Sequence, residues 1–267
     1  MLVYTPIPPI NYIEKVTERT KSIFMLAQLW SIEEYRNAIT NSNLKLIVLD
    51  NGAYEGELVS DKRLIEVIGQ VSELHPKAKI YAIIPDEMQN PEMTLKRTEK
   101  FLQYIESNDI KLPKNVSLLG VIQVDPNVNE KTAIIQTLDF SGKLIDLTHG
   151  YGVHLGGFTI PVWFYRKWGY RDVFGLTLRL VYNDHMYIHA LGLDDFNELR
   201  YIQYGFDSFD TSMPFTLAYY GLPIKEVPLL DKSTKQQLGI DRVPLKHPVL
   251  ENSLYMKNLE EILKLCK

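Results

Sequence analysis

Short apolar runs alternate with amphipathic helical patterns along most of this chain, and no other feature narrows its fold as far. Residues 2–5, 22–27, 44–49, 79–84, 117–124, 151–158, 186–191 and 206–211 are runs of strand length. Between them the spacing of apolar residues changes to three and four. Residues 61–75 put Leu64, Val67, Ile68, Val71 and Leu74 on one helical face, 91–107 carry Pro91 in a first turn, and 129–138 and 194–204 continue the pattern. Residues 12–21 carry charges at helical spacing, and Ser31 with Glu34 fits a capping box. Residues 161–182 are aromatic-rich and partly helical, while 144–148 suit either state.

Apolar strands alternating with helices belong in a parallel sheet that helices cover. Eight strands are the number that closes a (β/α)8 barrel, the TIM-type architecture, and 267 residues is a typical length for one. An open doubly wound sheet is the rival. Polar residues stand at the C-terminal ends of many strands, which suits a barrel mouth better than a single switch-point crevice. The expected organisation is a barrel core over 1–220 and an extension over 221–267. In the extension a proline-rich strap (223–248) precedes a closing helix (254–265).

Charge and cysteine content bound the function. Twenty-nine basic against thirty-three acidic residues give a net charge of −4, which excludes attachment to nucleic acid by bulk positive charge and leaves room for a local basic groove. Cys266 is the only cysteine, so neither a disulfide framework nor a cysteine-built zinc site is available. A reducing, intracellular setting is the expectation. The first residues lack a signal-peptide pattern and no apolar run reaches transmembrane length, so no membrane partner is expected.

The strand ends carry the chemistry. Phe206, Ser208 and Asp210 alternate on one strand face, and Pro214 follows that strand's end. Asp50 and Asp86 close two other apolar strands, Gln123 a third, and Gly156-Gly157 strip side chains from what is expected to be the end of a fourth. Each residue has a plainer reading. Asp50 before Asn51-Gly52 suits an Asx-turn, Asp86 a helix cap, Gln123 an ordinary strand-end amide, Gly156-Gly157 a tight turn and Tyr54 a packed aromatic.

Taken together, these segments resemble the tRNA-guanine transglycosylase superfamily. Leu49-Asp50-Asn51-Gly52-Ala53-Tyr54 is similar to that family's Asp-Ser-Gly-Gly-aromatic turn, Pro85-Asp86-Glu87 to its Asp-Glu, and Gly120-Val121-Ile122-Gln123 to its Gly-Val-Val-Gln. His154-Leu155-Gly156-Gly157 resembles its Ile-Gly-Gly-Leu. His189-Ala190-Leu191-Gly192-Leu193 followed by Gly205–Pro214 resembles its Leu-Gly-Val-Gly segment and final Asp-containing motif. The zinc lobe's cysteines are absent, and Phe215-Thr216 replaces the family's Thr-Arg pair. The chain therefore looks most like the zinc-less, DNA-directed branch known from phages and bacteria, whose members place a 7-deazaguanine in DNA.

The resemblance implies an enzyme of the pentosyltransferase class, with no cofactor, acting on DNA or alternatively tRNA and on a base such as 7-cyano-7-deazaguanine. It implies Asp210 as nucleophile and Asp50 as general acid and base. Asp86, Gln123 and the Gly156-Gly157 backbone would read the guanine edge, with Tyr54 and Leu191 sandwiching the ring. Glycosidic bond exchange through an oxocarbenium-like state needs such a pair of carboxylates, and glycine lets a backbone approach a base edge. Trp163-Phe164-Tyr165-Arg166-Lys167-Trp168-Gly169-Tyr170-Arg171 interleaves rings and cations. It suits a nucleic-acid surface through Arg166, Lys167 and Arg171, or equally an amphipathic helix with Trp in the core. His149, His154 and His189 are expected to be satisfied barrel histidines. A non-catalytic barrel that binds deazaguanine or nucleic acid is the alternative from another class.

Overall fold

Alternation within each strand decides which residues fill the barrel and which meet the helices. The computed structural model describes residues 2–53, 58–240 and 252–266. Tyr54 and the strap from 241 onward lie outside them. The strands are β1 (Val3–Pro6), β2 (Ser22–Leu26), β3 (Leu46–Asp50), β4 (Lys79–Ile83), β5 (Val116–Val121), β6 (Leu155–Pro161), β7 (Tyr187–Leu191) and β8 (Ser208–Thr211). All pair in parallel in one eight-stranded sheet, consecutively from β2 to β8, with β8 returning to β1 through Thr5 opposite Asp210. The seam between β1 and β2 is bridged by the Ser22 hydroxyl, which donates to the Tyr4 carbonyl at 2.6 Å. The result is a nearly closed (β/α)8 barrel.

Helices cover the outside: α1 (Ile13–Thr20), α2 (Glu33–Thr40), α3 (Asp61–Leu74), α4 (Pro91–Ser107), α5 (Glu130–Gly150), the short α6 (Trp163–Trp168) and α7 (Asp172–Tyr182). After the short α8 (Leu199–Ile202) come α9 (Met213–Tyr219), α10 (Lys232–Leu238) and α11 (Asn252–Leu265). Outward residues such as Ile47, Ile80, Leu118, Phe158 and Ile188 join the helices in the main core. Inward residues form a second cluster of Phe24, Leu26, Val48, Ile83, Leu119 and Val121. Below it the Tyr81 and Tyr187 rings stack at 3.8 Å and 13°, forming a floor near the strands' N-terminal ends. In the extension, Asn258 of α11 accepts from the Ile224 backbone N–H and donates to the Pro214 and Leu222 carbonyls. No helix among the described residues is long and apolar enough to cross a membrane.

Several sequence expectations need correction. The ambiguous 144–148 segment lies inside α5, which runs on to Gly150. Helix α2 is capped by Ile32 without a side-chain bond, so Ser31 forms no capping box; its hydroxyl is spent on the Gln28 carbonyl. The strand expected at 151–158 begins at Leu155 and ends at Pro161. Gly156 and Gly157 thus open β6 at its N-terminal end rather than closing it. A register shift falls beside them, and a Cβ at Gly157 would stand 1.9 Å from the Tyr187 carbonyl oxygen. Gly157 lets β6 and β7 pack closely at the floor, and Gly156 does the same for β6 against Ser117 of β5.

Candidate active site

Three strand-end carboxylates share the C-terminal rim. Asp50 closes β3 facing inward, Asp86 follows β4, and Asp210 faces inward near the end of β8; each is buried, at 6%, 8% and 3% exposure. Parallel strands whose C-terminal ends meet at one rim bring such residues together whatever their distance in sequence.

Around Asp86 the side chains form a closed amide network. The Asn51 side-chain amide donates to Asp86 Oδ1 at 3.3 Å and to the Ile84 carbonyl at 2.9 Å. Gln123 Nε2 donates to Asp86 Oδ2 at 3.0 Å. Gln123 Oε1 accepts from the Gln89 backbone N–H at 2.9 Å and from Trp163 Nε1 at 3.1 Å, which fixes the orientation of the amide. Burial holds the Asp86 carboxyl above its usual range, with the Asn51 and Gln123 bonds and the Arg97 charge pulling the other way. Asp86 does not cap the next helix, because Asn90 does so by accepting from the Met93 N–H. Asp50 Oδ2 accepts from the Gly52 N–H at 2.9 Å, the Asx-turn geometry, and Asn51 Oδ1 accepts likewise from Ala53 at 2.8 Å. Gly52 takes φ +82° there, a left-handed conformation that glycine adopts freely.

Across the mouth, Asp210 Oδ1 is met by His189 Nε2 at 3.0 Å and by the Gly192 N–H at 2.7 Å. Asp210 Oδ2 makes no hydrogen bond among the described residues. The Gly192 turn is gripped from behind by Arg171. This fully buried guanidinium donates to the carbonyls of Ile160 (3.0 Å), Leu191 (2.9 Å) and Gly192, and pairs with buried Glu198 at 2.5 Å.

Arg171 is therefore no nucleic-acid contact; its charge is consumed inside the protein. Arg166 and Lys167 are exposed on α6, with Arg166 paired to Asp194, while Trp163 is buried. That is the amphipathic arrangement. Gly156 and Gly157 lie at the opposite end of β6 from the carboxylates and form no part of the rim. Leu191 is half-buried at the top of the barrel interior. His149 and His154 are exposed rather than packed in the barrel, whereas His189 is fully buried with both nitrogens bonded.

Sequence reasoning left out Asn51, Trp163 and the role of His189. A signal existed for His189: it alternates with Leu191 on β7, which puts it on the same inward face as Asp210 on the neighbouring strand. A scan against protein-family models gives no match for this chain, and a search of curated proteins finds no significantly similar sequence.

Proposed function

We propose that this barrel is a transglycosylase that exchanges guanine in a polynucleotide, DNA in the first instance, for a 7-deazaguanine base. The observation that carries the proposal is the unlike state of two carboxylates on one rim. Asp210 offers a free oxygen beside a bonded one, and the Asp86–Gln123 pair offers an acceptor next to an amide whose orientation is fixed. In the first half-reaction Asp210 Oδ2 attacks C1′, the C1′–N9 bond breaks, and the departing guanine takes a proton from Asp50. In the second, Asp50 recovers a proton from the incoming base, whose nitrogen attacks C1′ as the C1′–Oδ2 bond breaks. Asp86 accepts from the guanine N1–H and exocyclic amine, and the second Nε2 hydrogen of Gln123 reaches O6.

Exposed Lys167, with Arg166 beside it, supplies a modest local attraction for phosphates on a chain of net charge −4. The target base must leave its stack to enter the mouth, at a cost of about a few kcal/mol that single-stranded substrate avoids. The test is incorporation of labelled guanine or 7-cyano-7-deazaguanine into single-stranded DNA, duplex DNA and tRNA. Uptake into DNA by the wild type supports the proposal, and uptake into tRNA alone moves it to the tRNA-directed reaction. No uptake into any polymer leaves the non-catalytic binding barrel as the better account.

A further inference from the structure

Below Asp210 a line of buried polar side chains descends the barrel interior. His189 Nδ1 lies 2.7 Å from Ser208 Oγ, and the Tyr187 hydroxyl donates to the same Ser208 Oγ at 2.6 Å. His189 and Ser208 are 0% exposed, and Tyr187 ends the line in the ring stack with Tyr81. The Phe24 ring covers the imidazole at 5.8 Å and 15°, which fixes its plane. Burial holds the Tyr187 phenol well above its usual range, so the phenol keeps its proton as donor.

Hydrogen counting along this line leaves one consistent assignment. Ionised Asp210 offers only acceptors, so His189 Nε2 carries the hydrogen between them. Ser208 Oγ accepts from Tyr187 and has a single hydrogen to give. Its other neighbour is His189 Nδ1, which must therefore be the acceptor. An imidazolium would aim a second donor at Ser208 Oγ and leave the serine hydrogen without an acceptor among the described residues, a costly state at zero exposure. Every donor is used once in the order Tyr187, Ser208, His189, Asp210.

We infer that His189, held as its neutral Nε2–H tautomer by Ser208 and Tyr187, is a positioning residue that fixes Asp210 with Oδ1 occupied and Oδ2 free. The role deepens the transglycosylase reading and rests on it for its kinetic consequence. When Oδ2 bonds to C1′, Oδ1 becomes an ester carbonyl still facing the His189 and Gly192 donors. When that bond breaks, the returning negative charge meets the same two donors. Both half-reactions gain from donors already in place, as at an oxyanion hole.

Two measurements test the inference separately from the activity. In ¹⁵N-histidine-labelled wild type, the His189 resonances, assigned by their loss in His189→Gln, should have the pattern of a neutral imidazole protonated at Nε2. In Ser208→Ala the Nε2–H tautomer should persist, because Asp210 still requires it, while the Nδ1 resonance moves downfield as that nitrogen loses its hydrogen bond. An Nδ1–H or imidazolium pattern in the wild type, or an unmoved Nδ1 resonance in Ser208→Ala, overturns the inference. On the exchange reaction, His189→Leu should lower kcat about 100-fold with KM for the polymer within about threefold. His189→Gln, whose amide N–H can take the place of Nε2–H, should recover kcat to within about tenfold of wild type. Equal kcat in wild type and the leucine variant also overturns the inference. A wild type that exchanges no base sinks the transglycosylase reading alone, because the imidazole spectrum still decides whether His189 donates to Asp210.

Discussion

Asp86 and Asp210 stand on one rim in opposite states. Asp86 has both oxygens bonded by side-chain amides, and burial pushes its carboxyl upward. Asp210 has one oxygen held by two N–H groups and the other unbonded among the described residues. A carboxylate enclosed by amides suits recognition, since it can exchange one donor for another from a ligand without moving. A carboxylate with one tethered oxygen suits attack, since tethering sets direction and leaves a lone pair available. The difference lies in the neighbours. The turns after β3 and β5 supply side-chain amides, whereas β7 and the turn after it supply an imidazole and a backbone N–H.

The largest expected effect breaks the attacking side. Asp210→Asn should lower exchange by about 10⁴-fold or more, as removal of a covalent nucleophile does. It should also abolish any protein–polymer adduct seen on a denaturing gel. Residual exchange within tenfold of wild type would assign attack to another group.

The next effect is on stability. Arg171→Met leaves Glu198 buried without its partner and releases the turn that carries Gly192. The expected cost is about 3–5 kcal/mol, a fall in Tm of roughly 10 °C for a chain of this size. Had Arg171 served nucleic acid instead, Tm would hold and only polymer binding would weaken. Thermal denaturation with and without DNA separates the two.

How much of this could be read beforehand follows from which quantities are local. Strand number, parallel pairing and the rim positions of Asp50, Asp86, Gln123 and Asp210 all follow from alternation and from where apolar runs stop. The Gly156-Gly157 error has a physical cause. A glycine pair marks a close approach, but not at which end of a strand; here Gly157 approaches Tyr187 and Gly156 approaches Ser117, both at the floor. Arg171 misled for a similar reason. A cation in a run of aromatic and basic residues looks solvent-directed until tertiary contacts supply three carbonyls and a carboxylate. His189 was legible in its inward face, but its bond to Asp210 depends on the pairing of β7 with β8, which local pattern does not fix.

The recognition side is tested by pH. Because burial raises the Asp86 carboxyl, the folded state binds more protons than the unfolded chain between about pH 4, the ordinary carboxylate value, and the folded value. Stability contributed by this site therefore falls as pH rises through that window and is level below it. Asp86→Asn removes the titration. The stability of the variant minus that of wild type should climb with pH across the window, with a slope of at most about 1.4 kcal/mol per pH unit. Any fixed cost of the new amide moves the whole difference curve without altering its slope. A flat difference in denaturant titrations from pH 4 to 8 would mean that Asp86 is no harder to ionise folded than unfolded.

The smallest effect sharpens the comparison most, because it touches neither carboxylate. Trp163 Nε1 is one of two donors on Gln123 Oε1, and together they keep the amide from turning over. Trp163→Phe preserves most of the ring's packing against Phe164 and Trp168 and deletes the N–H. One lost hydrogen bond is worth about 1 kcal/mol, so kcat/KM for guanine exchange should fall about fivefold. Part of the Gln123 population should then present Oε1 to the mouth. An adenine-type edge has an amine donor where guanine has O6, so discrimination between the two should narrow by a similar factor. If the variant loses catalysis equally on every base while discrimination stays intact, Trp163 serves packing, and Gln123 is held by the Gln89 N–H and Asp86 alone.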